Sequence, residues 1–358
     1  GMGVQLLKEE AVFCQSMERI DQLIQHRFGW SVLEVLLAEN EELRLDEIAV
    51  VQPTIFAVQV ALCELLQSWG ITPDAVTGHS MGEVAAAHLA GILSLEEAVE
   101  VICLRSQRLT KLRGLGRMMV TELTLDQAKE LLKGKEEKVS IAAINGPTST
   151  VLSGDPLEME EIMDTLQKRN LFCKWVKVDV ASHSPQMDQL GPELEVDLQG
   201  LQPQPPRIPF YSTVTGTLGN QLDFTASYWM DNLRKPVLFS NAVAQLLASA
   251  YTAFLEIGPH PVLLGALQQS VPSNHPEVRL LASLRREEPE REVLLRALGA
   301  LYTEGCAVKW ENIYLEAGKH LRLPPIPYQR ERYWLDNISS GVKNNWHQLQ
   351  QDSDQVHP

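Results

Sequence analysis

The sequence predicts an α/β protein that has a parallel sheet in its core and a smaller unit of strands and helices inserted into it. Two patterns support this fold class: a Gly-x-Ser-x-Gly run at residues 78–82, and a β-α-β-β-α-β pattern over residues 117–184. The chain of 358 residues is long enough for more than one unit, since single cores stop growing near about 250 to 300 residues.

The N-terminal part is predicted to be helical. Apolar residues over 3–37 recur at helical spacing, and the acidic stretch 39–47 is typical of a solvated connection. The next helix is predicted to begin within the run Val50-Val51-Gln52-Pro53, with Pro53 near its first turn. This assignment places Gln52 just outside the helix start, where its amide faces either a pocket or solvent.

The Gly-x-Ser-x-Gly run surrounds Ser80 and lies between a short apolar stretch and an alanine-rich one. Glycines on both sides of a serine allow a sharp strand-to-helix turn that exposes the hydroxyl, and the N-terminus of the next helix then faces any oxyanion formed beside it. Gly82 is expected to leave room for tight packing of helix against strand. A serine in a loop can also simply cap a helix, but the flanking patterns favour a nucleophile.

An arginine lies on the apolar side of the following predicted helix. Ser94 and Glu97 form a capping-box pattern that opens this helix, and it is predicted to run to about Leu112. At about 100° per residue, Arg105 falls among the apolar positions of the helix. A buried guanidinium needs an anion, which is either an Asp or Glu of the same protein or the carboxylate of a substrate.

The β-α-β-β-α-β pattern has the order of a ferredoxin-like unit. Its last strand is predicted over 172–178 and is expected to deliver His183 at its end. Of the nine histidines, His183 and His260 are the plausible site residues, and the Gly-Pro-His-Pro run around His260 is typical of a rigid turn. A serine needs a base to become a good nucleophile, so His183 is the best candidate partner of Ser80.

A second arrangement of catalytic residues is open. The order Ser80, Asp231, His260 would match an ordinary α/β-hydrolase. Such an enzyme has no evident use for an arginine on the pocket side of a helix, and His183 arrives at the end of an inserted unit. These two features favour His183.

The C-terminal third is predicted to leave the core by about Val278. Residues 285–305 have the pattern of a charged amphipathic helix, and the proline-rich, aromatic strip 321–335 is expected to lie extended on a larger surface. The predicted domain boundaries are 1–116 and 185–280 for the core, 117–184 for the insert, 281–336 for a linker, and 337–358 for a polar, disordered tail.

Composition excludes several classes of function. A net charge of −15 argues against a nucleic-acid surface. The five cysteines are widely spaced and lack a Cys-x-x-Cys pair, so no disulfide frame, zinc site or redox cofactor is predicted. No apolar run is taken as long enough to span a bilayer, and no signal peptide is recognised. We therefore expect a cytoplasmic protein with no nucleic-acid or membrane partner.

Four stretches together resemble a known family. They are the Gly-His-Ser-Met-Gly-Glu run at 78–83, the helix of Arg105, the Val-Ala-Ser-His run at 180–183, and the Pro-Tyr-Gln-Arg-Glu-Arg-Tyr-Trp run at 327–334. The chain resembles, to about residue 335, the acyltransferase domain of a modular type I polyketide synthase with its post-acyltransferase linker, in the malonyl-CoA:ACP transacylase superfamily. The resemblance implies an α/β-hydrolase-like core with a ferredoxin-like insert.

The resemblance also implies the chemistry. Ser80 would attack the thioester of an acyl-coenzyme A, His183 would take its proton, and Arg105 would bind the free carboxylate of a malonyl-type acyl group. The acyl group would then pass to the phosphopantetheine thiol of an acyl carrier protein, and the linker would contact a ketosynthase domain. No permanently bound cofactor is implied. The remaining residues implied to line the substrate pocket are Gln52, His79, Met81, Val180 and Ser182, with the Met81 N–H as one oxyanion donor.

Small Ser182 leaves space for a 2-methyl group, whereas malonyl-selective members usually carry Phe there. Against this, Val180 replaces a usual Tyr, and Met81 replaces a Gln that is common after the serine in methylmalonyl-selective members. A methylene changes discrimination by only about 1 to 3 kcal/mol. These features do not decide the selectivity, and the small Ser182 slightly favours methylmalonyl over malonyl.

One departure from the family concerns the second oxyanion donor, which comes from a Gly-Gln-Gly segment near the domain start. This chain begins just after the place of that segment. Loss of one donor costs about 10²- to 10³-fold in rate, so the fragment is expected to fold imperfectly or to be nearly inactive, unless its numbering begins at an internal boundary of a larger enzyme. The rival functions are a serine esterase or thioesterase and an inactive docking scaffold.

Overall fold

A computed structural model describes residues 2–38, 44–272, 278–314 and 321–324. The chain divides into a large unit, Gly1–Ile313, and a second unit, Tyr314–Pro358. The predicted tail at 337–358 and most of the strip at 321–335 lie outside the described residues.

The described residues form thirteen α-helices and nine strands. The helices are α1 Val4–Glu9, α2 Ala11–Phe28, α3 Val32–Leu37, α4 Ile48–Ser68, α5 Gly82–Leu89, α6 Leu95–Leu109, α7 Leu125–Leu131, α8 Pro156–Lys168, α9 Gly191–Asp197, α10 Ala226–Arg234, α11 Phe239–Ala248, α12 Leu264–Ser270 and α13 Glu290–Thr303. The strands are β1 Val76–Thr77, β2 Arg117–Thr121, β3 Val139–Gly146, β4 Ser149–Gly154, β5 Cys173–Trp175, β6 Phe210–Ser212, β7 Thr217–Leu218, β8 Ala253–Glu256 and β9 Arg279–Ala282.

Parallel pairing in the core is short. Strand β1 pairs in parallel with β6, which continues antiparallel to β7, and β8 pairs in parallel with β9. Most of the main core is made by helices, because α2, α4 and α6 pack against one another. The fold is thus mixed α/β, and its longest strands belong to the insert.

The insert has the element order β2-α7-β3-β4-α8-β5, as the sequence predicts, and its four strands lie in the order β3-β4-β2-β5 with antiparallel neighbours. It has a hydrophobic cluster of its own, in which Met119, Leu152 and Leu166 are buried. Apolar residues from both helices and from the sheet therefore stabilise it separately from the main core.

His183 does not stand at a strand end, as the sequence analysis expects. Strand β5 ends at Trp175, and His183 lies in the loop that follows. This loop is held by contacts that are distant in sequence: the N–H of Gly114 donates to the carbonyl of Asp179 at 2.7 Å, and Gly116 approaches Ala181 so closely that a Cβ there would lie 2.3 Å from the Ala181 nitrogen.

Helix α4 differs from its prediction in two respects. It begins at Ile48, because the N–H groups of Val50 and Val51 already donate to the carbonyl of Glu47, so Gln52 lies inside the helix and not outside its start. It is also long and apolar enough to cross a membrane, with 21 residues and a mean hydropathy of 1.7, although 61% of that window is buried. The expectation that no run has this length is wrong, and in this structure the helix forms part of the core.

The predicted helix at 285–305 is α13, Glu290–Thr303. Leu294 and Leu298 of this helix belong to the main hydrophobic cluster together with residues of α2 and α4. The predicted capping box of α6 is present, with the Ser94 hydroxyl and the Glu97 carboxylate each accepting the other residue's backbone N–H.

Candidate active site

Ser80 stands in the sharp turn between β1 and α5, with a left-handed backbone (φ 51°). Gly78 permits this turn, since a Cβ there would lie 2.2 Å from the backbone nitrogen of Glu83. Gly82 has a different environment: a Cβ there would meet only the Gln59 amide, at 4.0 Å. The tight packing expected at Gly82 is therefore found at Gly78.

Ser80 and His183 are in direct contact. The serine Oγ lies 2.8 Å from Nε2 of the imidazole. The other ring nitrogen, Nδ1, lies 2.8 Å from the carbonyl oxygen of Lys235. A carbonyl can only accept, so Nδ1 carries the proton and Nε2 presents its lone pair to the serine hydroxyl.

The surroundings of His183 favour its neutral form. The pKa of this imidazole is lowered from 6.5 to about 3, mainly by burial and also by the nearby Arg105 and His79, while the Lys235 carbonyl opposes the shift. At neutral pH the ring is uncharged and able to accept a proton. The pair has the arrangement of a serine nucleophile and its general base.

The alternative set of Asp231 and His260 does not reach Ser80. The Asp231 carboxylate pairs with Lys235 at 2.8 Å, and the exposed His260 accepts from the backbone N–H of Arg286 at 3.2 Å. The order Ser80, Asp231, His260 is thus not a catalytic triad in this structure.

Arg105 is buried in α6, with only 2% of its surface exposed. Its Nη1 makes one long contact of 3.4 Å with Oε1 of Gln52, and its buried Nε finds no hydrogen-bond partner in the part of the chain that the structure describes. Among the described residues, no carboxylate lies within ion-pair distance of this guanidinium. Burial lowers the pKa of Arg105 to about 10 while the negative Glu83 opposes the shift, so the group stays charged at neutral pH.

Gln52 is held at the same place. Its Oε1 accepts from the hydroxyl of Ser106 at 3.0 Å and from Arg105. One oxygen with two donors fixes the side-chain amide toward Arg105. Gln52 and Arg105 therefore form a polar pair from two neighbouring helices.

The remaining predicted pocket residues surround the turn in different ways. His79 points to the insert, with Nε2 2.8 Å from Oδ1 of Asn145, and burial lowers its pKa. Val180 is buried and Met81 partly buried in the main hydrophobic cluster, whereas Ser182 is half-buried. None of the described groups accepts a hydrogen bond from the Met81 N–H.

Sequence reasoning missed a buried carboxylate beside the turn. Glu83 is fully buried and accepts from the Tyr228 hydroxyl at 2.8 Å, from the Asn232 amide at 2.8 Å and from both the N–H and the hydroxyl of Thr213. Desolvation raises its pKa, and these donors oppose the shift. The signal was present in the sequence as a carboxylate that opens an otherwise apolar, alanine-rich helix. No group of three or more potential metal ligands occurs in the part of the chain that the structure describes.

Comparison with known proteins supplies the family. The family described as acyl transferase domain matches residues 1–308. The pikromycin polyketide synthase component PikAIII of Streptomyces venezuelae is 39% identical over 350 residues, which make up 97% of this chain and 22% of that protein. Erythronolide synthase EryA2 of Saccharopolyspora erythraea is 36% identical over 337 residues, or 94% of this chain and 9% of that protein. The chain thus spans less than a quarter of either relative.

Solved structures agree with this assignment. The acyltransferase domain from module 8 of the salinomycin polyketide synthase matches with a TM-score of 0.83 and 36% identity, over 87% of this chain and 74% of that one. A loading acyltransferase from the avermectin modular polyketide synthase matches with a TM-score of 0.79 and 36% identity, over 84% of this chain and 95% of that one. The chain therefore belongs to the acyl transferase domain family, among the acyltransferase domains of modular polyketide synthases.

Proposed function

We propose that this domain moves a malonyl-type acyl group, methylmalonyl or malonyl with methylmalonyl slightly favoured, from coenzyme A through an ester on Ser80 to the phosphopantetheine thiol of an acyl carrier protein. The observation that carries this proposal is the buried, charged Arg105: among the described residues, its Nε has no hydrogen-bond partner and its Nη1 makes only a 3.4 Å contact. A buried cation with unused donors is unfavourable unless an anion binds it. A free acyl carboxylate supplies that anion.

In the first half-reaction, the Ser80 Oγ attacks the thioester carbonyl while Nε2 of His183 takes the hydroxyl proton. The Met81 N–H, which opens α5, donates to the oxygen that becomes negative. The carbon–sulfur bond then breaks, and His183 returns the proton to the departing thiolate of coenzyme A. The product of this step is an acyl ester on Ser80.

In the second half-reaction, the thiol of the carrier protein gives its proton to His183 and attacks the ester carbonyl. The new thioester forms as the bond to Ser80 Oγ breaks, and His183 reprotonates the serine. Water must not compete with the thiol, so the low exposure of His183, at 4%, favours transfer over hydrolysis. No resident cofactor takes part in this scheme.

The wider setting is proposed on the same basis. The strand order of the insert and the turn at Ser80 support the description as an α/β-hydrolase-like core with a ferredoxin-like unit. A domain that uses coenzyme A esters and a carrier protein would act in the cytoplasm, next to a ketosynthase domain contacted through the C-terminal linker. Ser182 and Val180 would face the 2-substituent of the acyl group.

The test is intact-mass measurement of the chain after incubation with malonyl-, methylmalonyl- or acetyl-coenzyme A. Over a long incubation, in which even slow loading accumulates, the wild type should gain one malonyl or methylmalonyl group, and Ser80→Ala should gain none. Arg105→Ala should load the two dicarboxylic groups at least about 100-fold more slowly, because it loses two charge-assisted hydrogen bonds. It should load acetyl at least as fast as the wild type does.

A matched control lies on the same helix. Arg108 pairs with Asp197 at 2.6 Å and has no hydrogen bond to Ser80 or His183, so Arg108→Ala should load malonyl at the wild-type rate. An esterase would release free acid and show equal rates for Arg105→Ala and Arg108→Ala. A docking scaffold would show no adduct with any ester, and either result would overturn the proposal.

A further inference from the structure

The C-terminal end of α10 contacts both members of the Ser80–His183 pair. The Nδ2 of Asn232 donates to the carbonyl oxygen of Ser80 at 3.1 Å. The carbonyls of Leu233 and Lys235 accept from the backbone N–H and from Nδ1 of His183, at 3.0 and 2.8 Å. A single short segment, residues 232–235, therefore holds the serine backbone and the histidine.

The backbone of Ser80 needs such a contact. A left-handed conformation (φ 51°) is unfavourable for a residue with a Cβ, and it persists only where the surroundings hold it. The carbonyl of Ser80 accepts from two donors, the backbone N–H of Glu83 at 3.0 Å and the Asn232 amide. The first belongs to the turn itself, so Asn232 is the contact that comes from elsewhere in the fold.

The amide of Asn232 is oriented by Glu83. Its Nδ2 also donates to Oε2 of Glu83 at 2.8 Å, so both amide hydrogens are used. The Ser212 hydroxyl accepts from two backbone N–H groups and turns its own hydrogen to Tyr228, which donates to Glu83. The hydrogens of this network therefore point toward the Glu83 carboxylate.

The other end of the Asn232 amide is left without a partner. Its Oδ1 is buried, and no described residue donates a hydrogen bond to it, which is uncommon for a buried polar atom. An asparagine with a purely structural role would be expected to satisfy both ends of its amide. In this arrangement the Nδ2 group of Asn232 donates to Ser80, while the Oδ1 atom is left without a hydrogen bond from the described residues.

We propose that Asn232, oriented by Glu83, is a positioning residue that fixes the carbonyl of Ser80 and so keeps the serine hydroxyl aligned with Nε2 of His183. The inference rests on the proposed function for its meaning in acyl transfer. The proposed role of Asn232 concerns the reactivity of Ser80 and not the choice of acyl group, because the Asn232 amide donates to Ser80 and Glu83 and not to Arg105 or Gln52.

The experiment measures two rates in the full chain: modification of Ser80 by a fluorophosphonate, which needs only the serine and its base, and loading of malonyl from malonyl-coenzyme A. Asn232→Ala should lower both rates by about 10- to 100-fold, since small misplacements of a reacting group have effects of this size. The KM for malonyl-coenzyme A should change by less than about threefold, because Arg105 and Gln52 are unaltered.

Two further variants separate positioning from folding. Met230→Ala removes buried volume from the same helix but no hydrogen bond to Ser80, and its rates per folded molecule should stay within about twofold of the wild type. Glu83→Gln preserves size and should also slow both reactions. The double variant with Asn232→Ala should be no slower than the slower single variant, since the two residues act through one contact.

The inference is overturned if Glu83→Gln and Asn232→Ala both react at wild-type rates, or if their losses match their loss of folded protein as measured by circular dichroism. If Asn232→Ala does not fold, the fluorophosphonate rate of Glu83→Gln decides, because the charge of Glu83 also acts on Arg105 and so on malonyl loading. If the wild type reacts with the fluorophosphonate but takes no malonyl, the proposed function fails, and the fluorophosphonate rates alone decide on Asn232.

Discussion

Burial lowers the pKa of both His183 and Arg105, yet it leaves these two basic groups in different charge states at neutral pH. Removal from water is the main cause that lowers the pKa of His183 from 6.5 to about 3 and the pKa of Arg105 to about 10. At neutral pH the imidazole is uncharged while the guanidinium stays protonated. In the proposed reaction, the same buried surroundings would supply a base for the hydroxyl and a cation for a carboxylate.

The low pKa of His183 predicts an unusual pH dependence. The rate of Ser80 modification by a fluorophosphonate should change by less than about twofold between pH 7.5 and 5.5, whereas a base with a pKa of 6.5 would lose about tenfold over that interval. An acidic decline centred near pH 6.5 would contradict the burial of this ring.

Stability must be followed in the same samples. The pKa of His183 is lower in the folded chain than in the unfolded one. Below about pH 6.5 the unfolded chain therefore binds a proton that the folded chain does not, and the free energy of unfolding decreases as the pH falls toward 3. Circular dichroism at each pH therefore separates unfolding from protonation of the folded enzyme.

The two glycines of the turn between β1 and α5 have different roles. Both belong to the Gly-x-Ser-x-Gly motif, and the sequence alone does not distinguish them. In the structure, the Gly78 Cα faces the backbone of α5, whereas Gly82 faces open space as far as Gln59. The requirement for glycine is therefore steric at Gly78.

This difference predicts opposite outcomes for two equivalent substitutions. Gly78→Ala should lower the free energy of unfolding by more than about 3 kcal/mol or prevent folding, because its Cβ would lie 2.2 Å from a backbone atom that cannot move without breaking the turn. Gly82→Ala should change it by less than about 1 kcal/mol, since alanine is the better helix residue. Urea denaturation followed by tryptophan fluorescence measures both. Equal losses would show that the two glycines have the same role.

Strand β3 of the insert forms hydrogen bonds with Val237, close to the segment that contacts His183. The N–H of Val237 donates to the carbonyl of Ala142, and the N–H of Ile144 donates to the carbonyl of Val237, both at 2.9 Å. Val237 follows closely after Lys235, whose carbonyl holds His183. The sequence indicated the insert by its local pattern, but this attachment joins segments far apart in the chain and leaves no local signal.

Across the whole molecule, the features that could be predicted are local ones. The turn around Ser80, the capping box of α6 and the element order of the insert each depend on a few neighbouring residues. By contrast, the partners of Glu83 lie 130 or more residues away. The position of His183 in a loop depends on its contact with Lys235, 52 residues away. The sequence carries no local signal of that contact, and its local pattern predicted a strand end. Only the folded chain shows such contacts.

Hydrogen bonds between residues more than 280 positions apart join the first described helix to the last. The carboxylate of Glu290, in α13, accepts from the backbone N–H groups of Gly3, Gln5 and Leu6, at 2.7, 2.9 and 3.2 Å. These N–H groups at the start of α1 have no partner within the helix, and a negative charge there is favourable. Glu290 thus satisfies the end of one helix from another nearly 300 residues away.

Glu290→Gln should lower the free energy of unfolding by about 1 to 3 kcal/mol, because the amide loses the charge and turns an N–H₂ group toward backbone donors. Glu292→Gln is the matched control on the same helix: the Glu292 side chain is 56% exposed and pairs with the exposed Arg296, so the change should be within about 0.5 kcal/mol. Urea denaturation of the two variants beside the wild type makes the comparison. If the two losses are equal, the contact between α1 and α13 does not stabilise the fold, and α13 is then held to the core mainly by Leu294 and Leu298.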